Sequence, residues 1–182
     1  MRTSLFAALV VAAFGFGMGG CSTQPQTEEK KQALDSDARN TLNEMRKEDP
    51  DFGAFVDKAY GYAVYPSVGK GGFIVGGSYG KGEVYEQGRL IGYSDITQAT
   101  IGAQVGGQAY AEVIAFENKA ALDKFIASEY QLAAEATAVA LKSGASKQAK
   151  FQNGIAVFTY NKGGLMAAAA IGGQRFRYTP AR

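Results

Sequence analysis

The 182-residue sequence contains no histidine and no tryptophan, and Cys21 is its single cysteine. Without histidine, the chain cannot build a Ser-His-Asp or Cys-His catalytic site or an imidazole-bound metal site. A lone thiol has no disulfide partner and cannot supply a thiolate zinc site. These absences exclude most familiar catalytic plans, and we expect no catalytic residues, no metal and no cofactor.

The N-terminus has the order of a secretory signal. Arg2 precedes an uncharged run over residues 5 to 18, which is shorter than the about 20 apolar residues that a membrane-spanning helix needs. The segment Met18-Gly19-Gly20-Cys21 resembles the lipobox of bacterial lipoproteins, in which the cysteine receives a diacylglycerol group before cleavage. We predict that residues 1 to 20 are removed and that Cys21 carries the lipid anchor; the alternative is an ordinary secretory signal with a stray thiol.

The lipobox resemblance also implies a location. Ser22 follows the cysteine, and a residue other than aspartate at this position is the usual pattern for sorting to the outer membrane. We expect a protein anchored there by lipid, facing either the periplasm or the surface. Residues 21 to 33 are polar and lack an apolar period, so they are predicted as a flexible tether, and residues 34 to 182 as the folded domain.

Charge is unevenly distributed, although the formal net charge is only +2. Residues 136 to 182 contain seven basic residues and no acidic residue. A stretch of one sign attracts anions, and near an anionic bilayer each Lys or Arg contributes about 1 kcal/mol. The alternative is that these side chains only keep the surface soluble.

Two amphipathic helices are predicted at the start of the domain. Over residues 34 to 48 the apolar positions recur at spacings of three and four, and Asp49 and Pro50 provide a cap and first turn for a second helix. Two interpretations of the apolar stripes stay open: both belong to the core, or the first faces a membrane. The stripes consist of Leu34, Ala38, Leu42 and Met45, then Phe52, Phe55, Val56 and Ala59.

After residue 60 the apolar period changes to two, which predicts strands. Pro66 indicates that the first strand ends at an edge or a bend, and glycines at 80, 82 and 88 indicate turns. A short helix is predicted over residues 117 to 126, and residues 129 to 142 fit helix or strand equally well. The fold class is therefore α+β, a mostly antiparallel curved or barrel-like sheet with two or three helices. The predicted strands cover residues 60 to 65, 72 to 79, 83 to 86, 89 to 94, 101 to 116, 155 to 160, 165 to 171 and 175 to 178.

Two motifs with possible chemistry are weak. Residues 66 to 72 look like a phosphate loop, but no Ser or Thr follows Lys70 and the glycine spacing is wrong. Asp95 and Glu112 could form a carboxylate pair only if the fold brought them together, and acids at strand ends are usually solvated.

Three segments resemble the SYLF lipid-binding domain family. They are residues 58 to 93, which include AVYPSVGKGGFIVGG, residues 101 to 116, and residues 151 to 171, which include AVFTYNKGGL. The resemblance extends over nearly all of the domain from residue 34 onward. It departs at residues 128 to 150, which are rich in alanine where the family has glycine-rich strands.

The SYLF resemblance implies phospholipid binding through an N-terminal amphipathic helix and basic residues, without enzymatic activity. On this chain it implies that Arg39, Arg46 and Lys47 of the first helix contact the lipid, with Lys58 and Lys70 beside the best-matched motif as further contacts. Arg175 and Arg177 alternate with Phe176 and Tyr178, so they are predicted to face anions while the aromatic residues face the core.

The predicted partner is an anionic phospholipid membrane at the bacterial cell envelope. The alternative is an interaction or structural lipoprotein that binds another envelope protein and no specific lipid. A third hypothesis is a hydrolase of the envelope. Some members of the SYLF family bind actin, but an exported bacterial protein is not expected to meet it. An exported chain of nearly neutral charge is also not expected to bind nucleic acid.

Overall fold

A computed structural model describes residues 25, 27 to 69, 77 to 99, 109 to 127, 130 to 132, 138 to 161 and 173 to 181. These residues form three α-helices, a short 3-10 helix and one sheet of eight strands, which confirms the α+β prediction. The elements are α1 (Glu28–Glu48), α2 (Pro50–Lys58), β1 (Gly61–Gly69), β2 (Gly77–Glu86), β3 (Arg89–Ala99), β4 (Tyr110–Phe116), α3 (Lys119–Ile126), β5 (Tyr130–Gln131), β6 (Val139–Ala140), the 3-10 helix (Ala145–Gln148), β7 (Ile155–Tyr160) and β8 (Arg175–Pro180).

Helix α1 starts earlier than the sequence indicated. It begins at Glu28, where the side chain of Thr27 accepts a hydrogen bond from the amide of Lys30, and Glu28 and Glu29 lie favourably in the first turn. Residues 28 to 33 are therefore helical, although we predicted them as part of the tether. Cys21 lies outside the described residues.

The sheet has the strand order β5-β8-β3-β2-β1-β4-β7-β6 and is antiparallel except where β6 runs parallel to β7. Leu132 follows one edge strand and Ala138 precedes the other, yet both belong to the same buried cluster. Gln174, beside β8, also donates a hydrogen bond to Glu112 of β4, although three strands separate β8 from β4 in the sheet order. The sheet therefore curls into a half-barrel with a packed interior.

Each face of the curled sheet has its own core. The interior cluster includes Tyr65, Ile96 and Phe176 and is closed by Leu122 and Phe125 of α3. The outer cluster packs α1 and α2 against the sheet, with Phe52 and Phe158 in edge-to-face contact at 5.1 Å. The outer face is thus covered by the two N-terminal helices.

Two expectations about the strands were wrong. The glycines at 80 and 82 lie inside β2 and not in a turn. A Cβ at Gly82 would overlap the backbone of Val64 and the ring of Tyr65. Close packing, and not a turn, requires glycine there. Strand β1 also continues through Pro66 to Gly69, because a β-bulge between Val64 and Ser67 accommodates the proline.

One predicted turn is confirmed, one open choice is answered in part, and several predicted strands lie outside the described residues. The turn at Gln87 and Gly88 joins β2 to β3, and both residues have positive φ. The open choice for residues 129 to 142 is answered in part: Tyr130 and Gln131 form β5, and Val139 and Ala140 form β6. The predicted strand over residues 165 to 171, most of the segment from 101 to 109 and residues 70 to 76 lie outside the described residues.

Candidate functional site

The apolar side of α1 is part of the core. Ala38 and Met45 are fully buried and Leu42 is nearly so, all within the outer cluster. This agrees with the first of the two interpretations, in which the stripe packs against the protein. Within the described parts of the chain, no helix combines the length and the apolar character needed to cross a bilayer.

The two arginines predicted on α1 are already paired with acids. Arg39 is 72% exposed and its Nε donates to Asp35 Oδ1 at 3.0 Å. Arg46 makes a bidentate contact with Asp57 of α2, at 2.7 and 3.1 Å. These hydrogen bonds from Arg46 lower the pKa of the Asp57 carboxyl. Both guanidinium groups are therefore partly neutralised by the fold itself.

Two of the predicted lysine contacts, Lys47 and Lys58, lie within the described residues. Lys47 borders a polar cleft of about 360 Å³ between α1 and the bulge of β1, where Pro66 and Ser67 form the opposite wall. Lys58 is exposed at the end of α2. Neither has an ion-pair partner among the described residues, and the predicted contact Lys70 lies outside them.

Strand β8 has the predicted alternation. Phe176 is buried against the interior cluster, whereas Arg175 and Arg177 project from the other face. Arg177 is 48% exposed and lies 3.8 Å from the buried Asp95 carboxylate, a long ion pair. For Arg175, the described residues provide no carboxylate partner. The fold brings these two arginines together, next to each other on one strand face.

A third basic region lies in the acid-free stretch that the sequence indicated as attractive to anions, although its lysines were not among the predicted lipid contacts. Lys142, Lys147 and Lys150 are exposed, and none of the three has an ion-pair partner in the part of the chain that the structure describes. Their segment follows β6, includes the 3-10 helix and ends at Phe151. The absence of acids from residues 136 to 182 was the sequence signal that could have identified it.

Asp49 holds residues 142 to 151, which we call the lysine segment, against α2. Its side chain accepts hydrogen bonds from the amides of Gly144 at 3.3 Å and Ser146 at 2.8 Å, while it also caps α2 through Asp51 at 3.1 Å. Burial by itself raises the pKa of the Asp49 carboxyl, but these hydrogen bonds outweigh burial and lower it. The carboxylate thus fixes a loop 95 residues away in sequence.

The half-barrel interior contains a second buried carboxyl. Glu112 is fully buried and accepts a hydrogen bond from Gln174 Nε2 at 3.0 Å, which also donates to the Tyr110 hydroxyl at 3.2 Å. Burial raises the pKa of Glu112 to about 7, although the hydrogen bonds that its carboxyl makes with Gln174 and with Tyr110 partly oppose the shift. Nothing in the sequence indicated this contact, because it joins residues on parts of the sheet that are distant in strand order.

Asp95 and Glu112 do not form a carboxylate pair. Ser94 faces the interior, where it accepts a hydrogen bond from the Tyr65 hydroxyl at 2.8 Å, so the adjacent Asp95 faces outward toward Tyr79 and Arg177. Glu112 faces inward. The two acids are therefore on opposite faces of the sheet. Among the described residues no group of three or more His, Cys, Asp or Glu side chains could hold a metal ion.

Comparisons with known proteins agree with these features. Residues 97 to 179 match the model of the Ysc84 family, which is the SYLF family and is described as Las17-binding protein actin regulator. The chain is also 32% identical over 156 residues to beta cell expansion factor A of Aeromonas veronii, an alignment that covers 84% of this chain and 59% of that relative. The chain therefore spans less than two thirds of the length of the curated relative that it matches.

Proposed function

We propose that this chain, which belongs to the SYLF family, binds anionic phospholipid at the bacterial cell envelope and is held there by a lipid on Cys21. SYLF domains are a lipid-binding type of domain and are not known as enzymes. The finer assignments, namely anionic headgroups, lipid attachment and the outer membrane, are our proposal.

One observation carries the proposal of anionic lipid. The acid-free stretch of residues 136 to 182 places its described basic side chains on the surface, where Arg177 alone among them has an ion-pair partner within the described residues, the Asp95 carboxylate at 3.8 Å. Such a surface attracts anions, with about 1 kcal/mol for each basic residue near an anionic bilayer. The members of this set are Lys142, Lys147, Lys150, Arg175 and Arg177.

Vesicle co-sedimentation tests lipid binding directly. We would use the full chain with Cys21→Ser, so that no attached lipid contributes, and compare phosphatidylglycerol vesicles with phosphatidylcholine vesicles. Binding to the anionic vesicles alone, weakened by high salt, is expected because screening reduces electrostatic attraction. Equal binding to both vesicle types, or none to either, would contradict the proposal.

A protein partner is the second candidate, because the matched family model is named for binding a protein. In that case the basic side chains serve a protein contact or solubility. The same experiment separates the candidates, since a protein-binding domain has no reason to prefer phosphatidylglycerol.

The anchor is tested independently. The unsubstituted chain, expressed in a Gram-negative host, is expected to fractionate with the outer membrane and to yield an N-terminal peptide that begins at an acylated Cys21. Cys21→Ser is expected to leave the membrane fraction when salt is raised. An intact leader, or an unmodified thiol at the processed terminus, would contradict the anchor.

A further inference from the structure

We propose that α2 and residues 142 to 151 together form the surface that docks onto the anionic bilayer, with Phe55 and Phe151 at the headgroup boundary and the surrounding lysines on the phosphates. We call this the lysine–phenylalanine surface; it consists of Phe55, Lys58, Lys142, Lys147, Lys150 and Phe151. The inference rests on the proposed function and names the face of the domain that performs it.

The aromatic part is a partly exposed pair. The rings of Phe55 and Phe151 lie 4.7 Å apart between centroids, and both side chains are only half-buried. Phe55 also contacts the fully buried Phe158 at 5.2 Å, so the pair extends the outer core to the surface. Partly exposed apolar residues that rest on a rigid core are suited to the boundary between headgroups and acyl chains.

The charged part lies on the same two segments as the aromatic pair. Lys142 and Lys150 belong to the same segment as Phe151, Lys147 lies on the 3-10 helix that packs against α2, and Lys58 is one helical turn from Phe55. Residues 142 to 151 contain three lysines and no acid, and α2 adds Lys58 together with two acids, of which Asp57 is paired with Arg46. The two parts together have a net positive charge, whereas α1 contains six acidic and five basic residues. The charge of this surface is therefore complementary to anionic lipid, and that of α1 is not.

The segment is held in place before any lipid binds. Asp49 fixes the amides of Gly144 and Ser146, and the amide of Ala149 donates to the carbonyl of Ser146 at 3.0 Å. A preorganised surface loses less conformational entropy on binding than a loop that must first become ordered. The lysines thus project from a backbone whose position is determined by the fold.

The surface is compatible with the proposed anchor. Glu28 lies seven positions after Cys21 in the sequence, which gives a reach of at most about 25 Å. Helix α1 is about 30 Å long, and α2 begins just after its C-terminal end. The docking surface lies near the C-terminal end of α1, and the chain from Cys21 enters at its N-terminal end, so this reach is compatible with one bilayer that meets both.

A tryptophan reporter tests the aromatic part, since the chain has no tryptophan of its own. In the full chain with Cys21→Ser, we would introduce Phe151→Trp, or Ala120→Trp on the exposed side of α3 as the matched control. Phosphatidylglycerol vesicles are expected to shift the emission of Phe151→Trp to the blue, and brominated acyl chains to quench it. The Ala120→Trp emission is expected to change in neither respect.

Charge reversal tests the basic part. The pair Lys147→Glu and Lys150→Glu is compared with Lys119→Glu and Lys124→Glu on α3, which changes the net charge equally. The first pair is expected to weaken co-sedimentation with phosphatidylglycerol vesicles by about 30-fold or more, and the control pair by much less. Circular dichroism would establish that each variant retains its fold.

The outcomes distinguish this inference from the proposed function. Equal loss in both pairs, or binding with no response from Phe151→Trp, would overturn the docking surface while lipid binding itself stands. A Cys21→Ser chain that binds no anionic vesicles would overturn both.

Discussion

Helix α1 and the lysine segment at residues 142 to 151 both present basic side chains to solvent, but they differ in whether acids lie close enough to form ion pairs. On α1, Lys31, Arg39 and Arg46 form ion pairs with Glu28, Asp35 and Asp57. The three lysines of the segment have no such partner among the described residues. Counting basic residues is therefore a poor guide to an anion-binding surface; the position of the acids decides.

The largest effect concerns the role of α1 itself. Met45 is fully buried, so Met45→Ala is expected to lower the free energy of unfolding by about 2–5 kcal/mol through lost contacts and a cavity. Lys47→Ala, exposed two residues later, is expected to change it by no more than about 0.5 kcal/mol. Urea denaturation measures both. Similar small effects would mean that the apolar side of α1 is not core and is available to a membrane.

A buried carboxyl in the interior contrasts with the one beneath the lysine segment. The pKa of Glu112 is raised from 4.5 to about 7, so its stabilising contribution is complete below pH 4.5 and is lost as pH rises through about 7. Glu112→Gln cannot ionise and is therefore expected to gain up to about 3 kcal/mol over the original chain at about pH 8, and little at about pH 4. Urea denaturation at the two pH values tests this. A Glu112→Gln variant that is less stable than the original chain at about pH 8 would contradict this prediction.

The contribution of Asp49 to stability should depend on pH in the opposite direction. Its pKa is lowered, so its contribution is present above the ordinary value of 3.8 and is lost as pH falls through the lower folded value. Asp49→Asn removes the charge that holds the lysine segment and is expected to cost about 1–2 kcal/mol at neutral pH, with the difference vanishing in acid. Amide hydrogen exchange at Ser146 should also increase. Unchanged exchange would mean that the segment is held by other contacts.

The smallest expected effect tests whether ion pairing reduces the attraction of the basic residues of α1 for anionic lipid. Asp57→Ala removes the partner of Arg46 and is expected to raise affinity for phosphatidylglycerol vesicles about fivefold. Asp123→Ala, which removes the partner of Lys119 on α3, changes the net charge equally and is the control. An equal rise in the two variants would attribute the effect to net charge alone.

The sequence predicted what depends on local spacing and caps. The apolar stripe of α1, the Asp49 cap of α2 and the helix after Asn118 all follow from residues within a few positions of each other. The Thr27 cap was readable too, but the polarity of the surrounding residues suggested a tether. The SYLF resemblance was confirmed by the comparisons.

Long-range packing accounts for most of the rest. Gly82 is explained by a ring seventeen positions earlier, and the contact between Gln174 and Glu112 depends on the curl of the whole sheet. The candidate surface needed both kinds of information. The absence of acids from residues 136 to 182 was visible in the sequence, whereas the Asp49 contacts that place Lys147 beside α2 were not.

The most direct test of the account is the affinity of the Cys21→Ser chain for phosphatidylglycerol vesicles, measured beside Lys147→Glu with Lys150→Glu and Arg39→Glu with Lys47→Glu in the same background. We predict salt-sensitive binding that the first pair of substitutions largely abolishes and the second pair reduces only slightly. Loss of binding with the α1 pair, and its retention with the lysine-segment pair, would contradict the account.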